Sequence, residues 1–235
     1  MDARPIMGAL LAGLVIAMAA PALASTSGDL PPGTQRGPAS ELRQYPSLAL
    51  ATPRQRTAAR ALLSEMRQAA RKWRSPRAAK AAGFRMVRAA RTPANRSAVL
   101  YFHSEHRGYS NDRFYLRPQR PETLIYADIA GRPLVLIGVM FAVPRRVHGP
   151  TPGGPITRWH THQVCMRGTL RGVTPRADGS CPPGARKRQG SEMLHLWFTR
   201  DLRSAFAIHA PEPELCVAGL LPPGRCTHAG HHGMS

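Results

Sequence analysis

The 235-residue sequence predicts an α+β fold: two N-terminal helices packed on a mostly antiparallel β-sheet, either open or curled into a barrel. Three observations carry that expectation. Two Pro-led segments between residues 52 and 83 have helical apolar spacing. Five later runs are rich in β-branched and aromatic residues. Long loops rich in Pro and Gly separate some of those runs, with no helical pattern between them.

The first helix opens on "TPRQ": Thr52 is an N-cap, Pro53 suits the first turn, and Gln55 completes a capping box. Ala59, Leu62, Met66, Ala69 and Trp73 follow at helical spacing and define one apolar stripe. "SPRAAKAAG" repeats the logic, with Ser75 as cap, Pro76 in the first turn and Gly83 as the stop. Strands are expected at 97–103, 122–129, 133–143, 158–165 and 193–199, with long loops at 144–155 and 174–190. The run 133–143 is apolar on both faces, as a central strand is.

The ends of the chain read differently. Residues 1–24 combine Arg4, an apolar run from Ile6 to Ala20 and a small-residue Ala22-Leu23-Ala24 site. That is the pattern of a secretory signal cleaved near Ala24, with an uncleaved anchor as the alternative. Residues 25–51 read as a flexible leader, 52–226 as a single domain and 227–235 as a His-rich tail. The expectation is an exported, soluble protein, periplasmic or secreted. Net charge is +20, almost all of it from Arg, since Lys72, Lys80 and Lys187 are the only lysines. Such a surface attracts anionic partners. Export argues against nucleic acid, so envelope lipid headgroups or polysaccharide are the partner class expected.

Four cysteines, Cys165, Cys181, Cys216 and Cys226, lie in the last third of the chain. An even count in an exported chain favours disulfides. Three pairings are open; Cys165–Cys181 with Cys216–Cys226 closes the shortest loops. Without a C-x-x-C, a zinc ribbon is not supported.

Histidine is the residue type that points to chemistry. In "WHTHQVC", His160 and His162 share a strand face if the strand is regular, about 7 Å apart. In "MLHLWFT", Leu194, Leu196 and Phe198 face one side, and His195 with Trp197 the other. A polar residue in so apolar a strand requires a partner or a cavity. His103 ends the strand "AVLYFH", with Glu105 on its side and His106 on the other. Three strands thus each deliver imidazole, a ligand set suited to zinc or copper. The tail adds His228, His231, His232 and Met234 as a second, weaker soft-metal candidate.

The motifs "AKAAGF", "YFHSEH", "RPETLIY", "GVMFAVP", "WHTHQVC" and "MLHLWFTRDLRSAFA" occur in that order between about residues 55 and 216. In order and wording the chain resembles a largely uncharacterised family of exported bacterial proteins. The resemblance implies that His103, His160, His162 and His195 match the family's histidine positions, with His106 a close alternative to His103. Met140 stands where the family often has Glu. The resemblance carries no reaction with it.

Three functions are therefore expected in order. The first is an exported metal-binding protein (zinc or copper) that buffers, carries or senses metal through His103, His160, His162 and His195. The second is a metalloenzyme on the same ligands with Glu105 as general base. The third is a basic envelope-associated module whose histidines are structural.

Overall fold

In the computed structural model the described residues are 36–39, 41–87, 100–129, 132–167 and 180–222. The expected signal segment, most of the expected leader, Cys226, and the tail residues His228, His231, His232 and Met234 lie outside them.

Helix α1 (Pro53–Ala70) begins with the full capping box: Gln55 N–H donates to Thr52 Oγ1 at 3.2 Å and Thr52 N–H to Gln55 Oε1 at 2.8 Å. Its buried stripe is Ala59, Leu62, Leu63, Met66 and Ala70, with Ala69 only half-buried. A 3₁₀ turn over Arg71–Trp73 leads to α2 (Pro76–Ala81), capped by Ser75 and stopped at Gly83, whose φ is +94°.

The described residues hold nine strands, the first before α1 and the rest after α2: β1 (Gly37–Pro38), β2 (Arg85–Val87), β3 (Leu100–Glu105), β4 (Thr123–Asp128), β5 (Val135–Ala142), β6 (His160–Thr161), β7 (Gln163–Met166), β8 (Arg186–Gln189) and β9 (Met193–Trp197). Seven form one sheet in the order β1-β6-β9-β5-β4-β3-β2, antiparallel except for the β1–β6 pair. β1 and β2 are its edges, so among the described residues the sheet is open and no barrel closes. β7 and β8 form a separate ribbon.

Strand alternation divides the sheet into two faces. Leu124, Tyr126, Val139, Phe141, Leu194 and Leu196 pack with Leu62, Leu63, Met66 and Trp73 of the helical layer. Each of those large side chains contributes roughly 2 kcal/mol by leaving water. Tyr126 donates its hydroxyl to the Trp73 carbonyl, and Phe84 meets the Trp73 ring edge-on at 5.3 Å. The opposite face holds Ile125, Ala127, Met140 and Trp197. It is covered by the C-terminal segment with α4 (Glu212–Val217), through Ala207, Leu215 and Leu221, whereas α3 (Leu202–Ala205) packs on the helical side through Leu202 and Ala205.

Three expectations need correction. The run 158–165 is not one strand: it breaks at His162, whose carbonyl is taken by Gly190 N–H at 2.9 Å, and the chain leaves the large sheet there. The loop expected at 174–190 contains β8, an exposed Arg-Lys-Arg-Gln strand with no apolar face to announce it. Residues 36–51, read as flexible, include a strap across the sheet edge. Arg36 pairs with Glu192, Ala39 N–H donates to Thr161 O at 2.9 Å, and Ile208 N–H donates to Gln44 O at 2.9 Å. The strap uses backbone and polar side chains, which leave no apolar periodicity in the sequence.

Cys165 and Cys181 are disulfide-bonded, 16 residues apart, and Cys216 is also in a disulfide. No helix among the described residues is long and apolar enough to cross a membrane.

Candidate metal centre: a histidine cluster on one sheet face

Register and alternation place the imidazoles. His195, in mid-β9, points away from the helical layer because Leu194 and Leu196 point into it. His160 on β6 is the cross-strand partner of Met193, two residues before His195, so both histidines project from the same face. Their ring centres are 5.0 Å apart. The break after β6 brings His162 back over this pair, 5.0 Å from His160 and 6.2 Å from His195. A fourth ring, His209, lies 5.7 Å from His162. Trp197, next along the same face, stands 5.2 Å from His195 and donates its indole N–H to Ala207 O at 2.9 Å.

Two of the rings are oriented by main-chain carbonyls. His195 Nδ1 is 2.6 Å from Ile208 O, and His160 Nδ1 is 3.3 Å from Arg158 O. A carbonyl only accepts, so Nδ1 carries the proton and Nε2 keeps its lone pair. His160 Nε2 is buried and has no hydrogen-bond partner among the described residues. A main-chain carbonyl that fixes Nδ1 in this way is how proteins prepare an imidazole to ligate through Nε2.

The cluster is neutral at ordinary pH. Burial pushes the His160 pKa down to about 3, helped by the charges of His162, His209 and Arg158. His162 is pushed down to about 4, first by burial and then by His209 and His103. His195 is held well below the usual range by burial, with His160 and His103 adding to it. Burial also lowers His209. His103 is lowered by its protein surroundings against the pull of Glu105, although its side chain reaches solvent. Neutral imidazole is the form that binds metal.

The sequence-derived residues fall unevenly around this centre. His160, His162 and His195 come together. His103 is on β3, in a row that runs through Ile125 and Gly138 to Trp197, at the rim of the face. If protonated, it would hold the His162 and His195 pKa values further down. Glu105, the residue named as a base, is beside His103. His106 is elsewhere: it stacks on Tyr109 at 3.6 Å, meets Phe84 and bonds Ala82 O at 3.1 Å, so it does not replace His103. His209 was missed. Its only sequence signal is its place after the apolar run Ala205–Ile208, which has to be buried. Gln44 grips it from the strap, accepting from His209 N–H at 3.1 Å and donating to His209 O at 2.9 Å.

A metal bonded at about 2 Å to two nitrogens in tetrahedral geometry sets their ring centres roughly 5 Å apart. The His160–His162 and His160–His195 spacings match that, and the other two are wider. Among the described residues no group of three or more His, Cys, Asp or Glu side chains is placed so that it could hold a metal ion as it stands. Completing a site therefore requires a side-chain rotation. The exposed His209 is the ring with room for one.

No family model matches this chain, and neither a curated protein nor a solved structure matches it.

Proposed function

We propose that this protein is an exported metal-binding protein that buffers, carries or senses zinc or copper on the face of its β-sheet. The observation that carries the reading is the pair His160 and His195. Each has its Nδ1 on a main-chain carbonyl, their rings are 5.0 Å apart, and the His160 Nε2 is buried without a partner among the described residues. An unpartnered buried acceptor is costly unless it has a ligand. Nε2 of His160 and of His195 would be two ligands, with His162 and, by rotation, the exposed His209 supplying the others. His103 stays at the rim. The ion would act there as a bound cargo or signal, and the chain's part is to orient neutral imidazoles and exclude water.

Two neighbours bear on which metal. Met140 is the cross-strand partner of His195, and Met193 that of His160. Thioether beside imidazole suits copper(I), whereas imidazole alone suits zinc. The disulfides fit an oxidising, extracytoplasmic compartment. The resemblance to exported bacterial proteins points the same way.

Nitrogen NMR of the imidazoles tests the reading. Before metal, His160 and His195 are expected as Nδ1–H tautomers; on adding zinc or copper(I), their Nε2 resonances should move together. Unmoved Nε2 resonances at saturating metal would contradict it.

A further inference from the structure

Two residues before His160 stands Arg158, and it is the most anomalous charged group in the described residues. Its side chain is 2% exposed. Nε, Nη1 and Nη2 are all buried, and none meets a hydrogen-bond acceptor among the described residues. The half-buried guanidiniums behave differently. Arg36 binds Glu192 and the Gly149 carbonyl, and Arg67 donates to Thr199 O. Five N–H donors and a full positive charge without an acceptor are among the costliest arrangements in a protein interior. Deprotonation is no escape for a group of such basicity, even though burial lowers the Arg158 pKa. A neutral histidine cluster offers it no negative charge. Arg158 is one of the groups that hold the His160 pKa down.

We propose that Arg158 anchors an internal site for a small oxyanion, either a planar carboxylate or a tetrahedral ion of the phosphate or sulfate kind. The planar fork of guanidinium donors matches two oxygens of either class, and a charge-assisted bidentate pair neutralises the buried cation. The site is independent of the metal reading: it is a property of the metal-free chain. With a cation also bound at the histidines, the need for an anion would grow.

The test uses the whole mature chain, stripped of metal. Urea unfolding is followed in chloride with sulfate, phosphate, acetate or formate exchanged in at constant ionic strength. Constant ionic strength removes general screening of the +20 charge. The expected result is a saturable rise in midpoint with one anion class, which identifies the geometry. Arg158→Met should abolish the saturable part, and Arg188→Gln, on the exposed β8, should keep it. Arg158→Lys keeps the charge but not the fork, and should weaken the apparent affinity at least 10-fold. If Arg158→Met fails to fold, the Lys variant and the wild type carry the comparison. No saturable effect of any anion on the wild type would overturn the site, as would equal affinity in Arg158→Lys.

Discussion

Acid should unfold this protein through His160, and the size of the effect can be worked out. In the unfolded chain His160 has the ordinary pKa near 6.5, while burial in the fold pushes it down to about 3. Between those values the unfolded state binds more protons than the folded one. Stability is therefore complete above about pH 6.5 and falls as pH falls towards about 3. Lowering pH from 7 to 5 raises the unfolded state's proton-binding free energy by about 1.9 kcal/mol per such histidine, with almost no compensation in the fold. His162, held at about 4, adds a second contribution. Because it is only half-buried, the pair together should cost about 2–3 kcal/mol. The assay is urea unfolding of metal-free protein at pH 7, 6 and 5, in the wild type and in His160→Gln. The glutamine variant is expected to start less stable at pH 7 and to lose about 1.9 kcal/mol less on the way to pH 5. An identical loss in both proteins would refute the claim that His160 is neutral because it is buried.

Glu122 shows the opposite sign. It is 2% exposed, and burial raises its pKa to about 8 against the pull of its bond from Ala142 N–H. The folded state thus binds the extra proton between about 4.5 and 8, and stability falls as pH rises through that window. Glu122→Gln should be near-neutral at pH 4 and more stable than wild type by about 4 kcal/mol at pH 8, measured by urea midpoint. At Gly149 an added Cβ would lie 1.9 Å from the Trp159 ring, whose indole N–H is already fixed on Pro150 O. Gly149→Ala should therefore destabilise by about 3 kcal/mol or more, seen as a fall in Tm. Reducing the Cys165–Cys181 bridge, which spans 16 residues, should cost about 3 kcal/mol by chain entropy. Thiol labelling of denatured, unreduced protein should find no free Cys165 or Cys181.

The sequence made some of this legible, for physical reasons. Helix α1 was visible because Thr52, Pro53 and Gln55 form a local cap that needs no tertiary partner. The facing of His195 was visible because Leu194 and Leu196 define the core side within one strand. The break at His162 was not, since it depends on a bond from Gly190, 28 residues on. β8 was hidden because all four of its residues are exposed and charge-rich, so it has no apolar alternation. His209 joins the cluster through Gln44 in a segment with no hydrophobic pattern. Periodicity reports which residues are buried, and this strap is held by polar and backbone contacts instead.

The central claim is that His160 and His195 hold a metal ion. It is tested most directly by metal analysis of untagged, mature protein after dialysis against zinc or copper(I), with the variants His160→Ala and His195→Ala and a chain ending at residue 227. The account predicts about one firmly held ion per chain. That ion is lost in either histidine variant and retained in the shortened chain. No retained metal in the wild type, or equal loading of the wild type and both histidine variants, would contradict it.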